Sequence, residues 1–330
     1  MTPQPRENAN LLGHDDAERT IADALASGRL HHAWLITGAE GVGKATLAYR
    51  FARRLLAGGT TPGLAIPATH PTFRRVAAGS HADLLSIERE FDEKKKKMKK
   101  NISVDSVRLV PGFLHLTPAE GGWRVVIIDG AEDMNANSAN ALLKVLEEPP
   151  ARAVLLMVSA APGRLLPTIR SRCRHLPLCT LSPADMERVT SLYLPELGAA
   201  ARGKLIALAD GSPGRALALA EGGGLAIAAL VDEVLEKQPF PLLRGYQIAD
   251  ALREEEAFDL FFSLLRGAIA GAVTAHLRGT ASAVQARLLA MKSEAGWGAI
   301  WTRLGELQRD AAQHNLERRQ AVVAGLALLG

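Results

Sequence analysis

The stretch Trp34–Thr46, WLITGAEGVGKAT, decides how the rest of the chain is read. A short apolar run, Trp34-Leu35-Ile36, leads into a glycine-rich turn, and Lys44 opens a segment of strong helix formers. Strand, glycine loop and helix in that order, with Gly38, Gly43 and Lys44 spaced G-x-x-x-x-G-K, predict a phosphate-binding loop. Gly38, Gly41 and Gly43 let backbone N–H groups curl around phosphate oxygens without a Cβ in the way. The N-terminus of the following helix adds partial positive charge, and Lys44 neutralises the outer phosphates. The candidate nucleotide-binding residues here are Gly38, Gly41, Val42, Gly43, Lys44, Ala45 and Thr46. Gly41-Val42-Gly43 would also open a dinucleotide fingerprint, but that pattern needs glycine where Thr46 stands.

One position argues against a complete catalytic site. The residue after the lysine is ordinarily Ser or Thr, whose hydroxyl ligates Mg²⁺. Here it is Ala45, and Thr46 lies about 100° further round the helix. A second defect follows downstream. Val125 to Ile128 is an apolar run closed by Asp129, which suits a buried parallel strand carrying a Mg²⁺ ligand. ATP hydrolysis also calls for a carboxylate directly after that aspartate, to orient the attacking water. Position 130 is Gly130, with Glu132 and Asp133 beyond the strand end. Val154 to Ser159 predicts a further buried strand whose last residue, Ser159, is placed to face a γ-phosphate. Arg170, Arg172 and Arg174 follow at alternate positions, either a solvated strand face or an edge from which a guanidinium reaches a neighbouring subunit's nucleotide.

Length and composition bound the rest. The 330 residues suit two or three domains, and 48% hydrophobic with 22% charged residues describe an ordinary globular chain. No run of about 18 apolar residues suggests a membrane span, and the N-terminus carries no apolar leader, so a cytoplasmic protein is expected. Cys173 and Cys179 form neither a zinc pattern nor a disulfide framework. The six lysines of Lys94 to Lys100 (KKKKMKK) more than account for the net charge of +4, so the basicity is local. With Glu88 to Glu93 before it, the run reads as a solvated loop before it reads as a DNA-contacting patch.

Helices are expected from Ala17 to Ala26 behind an Asp15 or Asp16 cap, from Lys44 to Ala57 with Arg50, Arg53 and Arg54 on the polar side, from Val104 behind a Ser103 cap, and from Asn135 to Glu148. Residues 60–82 read as a long connecting loop, and ADLLSI at 82–87 as a strand. His31 and His32 lack partners at ligand spacing and read as packing or hydrogen-bonding residues. After Leu181 only helical patterns remain: helices at Asp185–Leu194 and Ala200–Ala209, a break at Gly211–Arg215 before a helix through Glu221, a boundary at Gly222–Gly224, and four or five amphipathic helices from Leu225 to Gly330. Trp297, Trp301 and Leu304 share one stripe of the last part.

Three segments together carry a family resemblance: Leu30–Lys44 (LHHAWLITGAEGVGK), Val125–Pro150 (VVIIDGAEDMNANSANALLKVLEEPP) and Leu166–Cys173 (LPTIRSRC). They resemble the delta-prime type of bacterial DNA polymerase III clamp-loader subunit, in the AAA+ superfamily. The resemblance implies an α/β P-loop NTPase-like domain with a parallel sheet at 1–180, an all-α lid at 181–222 and an all-α collar at 223–330. It implies Asp129 as the metal-site acid, Ser159 as the sensor, Arg172 as an arginine finger acting in trans, and Arg215 as the lid arginine. The partners implied are delta and gamma/tau subunits in a hetero-pentamer and, through that complex, the sliding clamp and primer-template DNA. ATP or ADP with Mg²⁺ is the ligand the family would take. Residues 58–82 contain no cysteine, so the four-cysteine zinc module of such subunits is missing. Ala45 and Gly130 point to a largely non-hydrolysing stator; the other reading is an active AAA+ ATPase in which Thr46 and Glu132 substitute. A stand-alone DNA-binding protein has no recognised nucleic-acid fold behind it.

Overall fold

The computed structural model describes residues 3–58, 63–92, 97–120, 122–237, 240–313 and 317–330. Elements follow in chain order as α1 (Asp15–Ala26), β1 (Ala33–Thr37), α2 (Lys44–Ala57), α3 (Pro71–Ala77), β2 (Leu84–Ile87), β3 (Phe91–Asp92) and β4 (Lys97–Met98). Next come α4 (Val104–His115), β5 (Arg124–Asp129), α5 (Ala136–Glu147), β6 (Ala153–Ser159), α6 (Pro167–Arg170) and β7 (Arg174–Pro177). The remainder is helical: α7 (Pro183–Tyr193), α8 (Ala199–Ala209), α9 (Pro213–Glu221), α10 (Gly224–Glu236), α11 (Leu242–Ala251), α12 (Glu255–Leu277), α13 (Ala283–Leu289), α14 (Glu294–Gln313) and α15 (Arg318–Ala327).

Five strands form one sheet in the order β2-β5-β6-β1-β7, every pair parallel. The apolar runs of β1, β5 and β6 are buried on both faces, as the middle of a parallel sheet covered on both sides requires, while β2 and β7 at its edges are partly exposed. Leu35, Val126, Ile128, Leu155 and Met157 pack with α4 and α5 residues such as Val107, Leu142 and Val145. On the opposite face Trp34 meets Phe51 of α2 edge-on, ring centroids 5.5 Å apart. β1 lies between β6 and β7: the connection leaving β1 runs toward the β2 edge while that from β6 to β7 passes β1 the other way, a reversal of the connections. Ligands of open α/β sheets bind at the carboxyl ends of strands flanking such a reversal.

The chain divides into two compact units, Met1–Leu197 with Ala209–Leu217, and Gly198–Leu208 with Ala218–Gly330. The 181–222 stretch is therefore shared: α7 and the start of α9 belong to the first unit, nearly all of α8 to the second. The second unit is built around Phe258, Phe261, Phe262, Leu265, Trp297, Leu304 and Val322. Among the described residues its last part holds six helices, α10 to α15, rather than four or five, because short polar breaks separate α13 from its neighbours. α12 is long and apolar enough by length and hydropathy to cross a membrane, although scattered polar residues interrupt its apolar run. Its Phe258, Phe261, Phe262, Leu264 and Leu265 lie in the core of this bundle.

Other departures have local causes. Residues 60–82 are not all loop: His70 caps α3 by accepting from the Thr72 amide, with Pro71 at its first position. Ser103 stands at the start of α4 but makes no capping bond with its hydroxyl. Asn135 caps α5, accepting from the Ser138 amide at 2.9 Å. Arg53 and Arg54 are buried, not on a solvated face. Trp301 is 40% exposed and covered by the Arg266 guanidinium at 3.9 Å, while Trp297 and Leu304 are in the core. Arg170, Arg172 and Arg174 do not share a strand, since α6 ends at Arg170 and β7 starts at Arg174. His31 and His32 bond the carbonyls of Ala33 and Leu146, as hydrogen-bonding residues. Of the lysine run, Lys94 to Lys96 lie outside the described residues; Lys99 pairs with Glu90 at 2.5 Å.

Candidate functional site

The loop between β1 and α2 is held from several sides. Gly43 is the N-cap of α2 in a left-handed conformation. The Lys44 side chain is only 7% exposed and its Nζ donates to the Ala39 carbonyl at 2.7 Å, closing the loop on itself. Burial pulls the Lys44 ammonium below the ordinary lysine range, opposed by the carboxylates of Asp129, Glu132 and Glu40. The buried His14 ring meets the Val42 carbonyl at 2.7 Å. From α9 the Ser212 hydroxyl donates to the Glu40 carbonyl at 2.8 Å, and the Gly214 amide to the Gly41 carbonyl at 2.8 Å. Gly41 and Gly214 meet backbone to backbone; a Cβ on Gly214 would lie 2.8 Å from the Gly41 Cα. Only glycine at both positions permits that approach.

Over this loop opens a cavity of about 650 Å³, a size typical of small-molecule sites. Glu40 to Thr46 form its floor, and Asp129, Gly130, Glu132 and Asp133 its acidic side. Asn8, Asn10, Leu11 and Leu12, with Val189, Tyr193 and Leu217, form an apolar and amide wall suited to a base. The arginines of α2 hold that wall in place. Arg50 donates to the Ala9 carbonyl at 2.7 Å, and Arg53 to those of Arg6 at 3.0 Å and Asn8 at 2.8 Å. Burial lowers the Arg53 guanidinium to about 10, and it stacks 4.4 Å from the Phe73 ring. Tyr193 fixes the Asn8 side chain through its hydroxyl at 2.8 Å.

The charged residues lining the cavity are five carboxylates, Glu40, Glu88, Asp129, Glu132 and Asp133, against Lys44, Arg89 and Arg164. Asp129 is pushed above the usual carboxylate range, mainly by burial and then by Glu88, with Lys44 opposing. So acidic a wall disfavours a bare triphosphate and suits a cation-bound one. The donor set for that cation is short. Ala45 brings a methyl group where a hydroxyl is needed, and among the described residues no three metal-ligating side chains converge. The phosphate cradle and the base wall fit a nucleotide; the magnesium shell lacks a ligand.

The candidate residues divide between the cavity and elsewhere. Gly41, Val42, Gly43, Lys44, Ala45, Thr46 and Asp129 line it. Gly38 packs instead under the loop, its α-carbon facing the Leu178 carbonyl. Ser159 departs from the sequence expectation: it is fully buried, and its hydroxyl accepts from the Ala161 amide at 3.2 Å while Val158 and Ala160 face the cavity. Arg215 also departs, since it is exposed and Pro213, Gly214 and Leu217 line the cavity in its place. Arg172 lies outside the cavity, on the α6–β7 turn, with its side chain 35% exposed. Arg89 and Arg164, which both reach toward Asp133, went unsuspected because no local pattern marks residues that only the fold brings together.

Gly130 explains why the missing carboxylate is not a simple omission. Its φ of 76° and ψ of 45° are left-handed, and a Cβ there would lie 3.2 Å from Asp133 Oδ2. Glutamate at this position would be strained and set against a like charge. Gly130→Glu is therefore expected to cost about 1–2 kcal/mol of stability and to yield no ATP turnover even together with Ala45→Thr. Urea unfolding and a phosphate-release assay on the double variant check both; appreciable turnover would show that the backbone is no obstacle.

Residues 13–182 match the family described as DNA polymerase III, delta subunit. DNA polymerase III subunit delta-prime of Escherichia coli (strain K12) is 33% identical over 250 residues, covering 73% of this chain and 70% of that one. The delta-prime subunit of Pseudomonas aeruginosa is 42% identical over 185 residues, 55% of this chain. The match spans 53% of that relative's length, and only 27% of the tau subunit of Salmonella typhimurium, which is 33% identical over 190 residues. A solved DNA polymerase III gamma-subunit-related protein of Thermotoga maritima aligns over 96% of this chain and 98% of its own, at 20% identity and a TM-score of 0.44. The family match over more than half of the chain, together with a delta-prime relative 33% identical across 73% of it, makes the chain a member of the DNA polymerase III clamp-loader subunit family that includes delta-prime, gamma and tau.

Proposed function

We propose that the chain acts as the delta-prime stator of a clamp loader: a cytoplasmic, largely non-hydrolysing subunit that lends Arg172 to a neighbouring ATP site. The observation that carries this reading is Asp129 followed by a left-handed Gly130, beside a phosphate loop that continues with Ala45. The site retains a nucleotide-sized space and has lost a metal ligand and the water-orienting carboxylate. In this reading residues 1–180 are the AAA+ domain, 181–222 the lid and 223–330 the collar that assembles with delta and gamma/tau in a hetero-pentamer. The complex would act on the sliding clamp and primer-template DNA, and ATP or ADP with Mg²⁺ would be bound here without being turned over.

One observation favours an active ATPase. Thr46 and Glu132 both line the cavity, and while Glu132 Oε1 accepts from the Ala160 amide at 2.8 Å, its second oxygen is buried without a partner. ATP turnover by the isolated full chain decides between the two. The stator reading expects no hydrolysis above background. Turnover near one per second, roughly the low end for enzymes, and its loss in Lys44→Ala would establish the enzyme. Co-purification with delta and gamma subunits tests the assembly directly.

A further inference from the structure

We infer that Glu147, at the last turn of α5, is a positioning residue for Arg172; this rests on the reading of Arg172 as the arginine supplied in trans. The base of Arg172 is fixed to the sheet-bearing unit. Ile169, in the same turn, is fully buried in the core, the Arg172 amide donates to the Ile169 carbonyl at 3.1 Å, and the Cys173 thiol donates to that carbonyl at 3.0 Å. Burial pushes the Cys173 thiol up to about 12, so it stays a thiol and keeps this bond.

The tip of the side chain is fixed separately. Arg172 Nη1 donates to the Thr168 carbonyl at 3.1 Å, and Nη2 to Glu147 Oε1 at 2.8 Å. A guanidinium has five N–H donors in a rigid plane, so these two bonds set its orientation and leave others for a phosphate. The pair has its own electrostatic cause: a carboxylate in a helix's C-terminal turn faces the negative end of the dipole, and a cation beside it relieves the repulsion. An ion pair this exposed contributes little to folding. Its use is geometric, because an arginine already held in one orientation loses less freedom when it meets a transition state. α5 also starts next to Glu132 and Asp133 of the chain's own cavity, so one rigid helix of 12 residues, about 18 Å long, links that cavity to the arginine's anchor.

The test is ATP hydrolysis by the complex reassembled from cognate delta, gamma and this chain. Glu147→Ala is expected to lower the neighbour's kcat by roughly ten- to a hundred-fold, with KM for ATP, complex yield on gel filtration and melting temperature unchanged. Glu147→Gln, which keeps the acceptor at the same reach, is expected to restore most of the rate. Glu147→Ala hydrolysing at the full rate, or faster, while Arg172→Ala is slow would overturn the positioning role and leave the trans arginine standing. Full rate in Arg172→Ala as well would remove the underlying reading.

Discussion

Arg172→Ala in the reassembled complex is expected to slow ATP hydrolysis at the adjoining site by roughly 10³–10⁵-fold, the range for an arginine that stabilises phosphoryl-transfer charge in trans. The size of the effect follows from where the side chain stands. It is outside its own chain's cavity, partly exposed, and held by a surface turn whose base is buried, so it has nothing to do for a nucleotide bound to its own chain. Assembly should survive, because the bonds lost are one exposed ion pair and one bond to a carbonyl. Arg172→Lys should recover little, since an ammonium replaces a planar fork by a point charge. Gel filtration of the complex and phosphate release under saturating ATP give the two readouts. An intact complex hydrolysing at the unaltered rate would remove the arginine from the chemistry.

The sequence was informative where a pattern has a single structural solution. Trp34–Thr46 reads as strand, glycine loop and helix, and the runs closed by Asp129 and Ser159 read as buried parallel strands. The sheet order β2-β5-β6-β1-β7 then placed the loop and Asp129 along one edge. Reading failed where burial of a polar group depends on a distant partner. Arg53 looked like a solvated residue because nothing in α2 shows that carbonyls of Arg6 and Asn8 await it; in the fold it is 1% exposed. Ser159 ends the strand it was expected to end, yet the chain's turn at Ala160 and Ala161 takes its hydroxyl away from the cavity. Arg215 depends on the rotation of α9, which Ser212 and Gly214 fix by bonding the phosphate loop themselves. Trp301 fits the apolar stripe by spacing, but it stays 40% exposed with the Arg266 guanidinium over one face of its ring.

A second large effect is expected at the other end of the strand that carries Asp129. Asp83 is 1% exposed and receives the amides of Ala119 at 2.8 Å and Glu120 at 3.2 Å. Arg124, first residue of β5, comes within 3.4 Å of the same carboxylate, donates to the Thr117 carbonyl at 2.7 Å and stacks 4.7 Å from the Phe113 ring. Removing one partner leaves the other charge buried without its counter-charge, so Asp83→Ala is expected to cost about 3–5 kcal/mol. Arg124→Met should cost less, because the stranded carboxylate keeps its two amide donors whereas the stranded guanidinium keeps a carbonyl and a ring. The double variant Asp83→Ala/Arg124→Met should be more stable than the sum of the two losses allows, since no unpaired charge is left in it. Hydrogen exchange at the β5 amides reads the sheet's own opening and is not confused by unfolding of the helical unit. Strict additivity of the two substitutions would mean that the carboxylate and the guanidinium each act through the backbone alone, and that the edge of the sheet leading to Asp129 is held by hydrogen bonds and not by the charge between them.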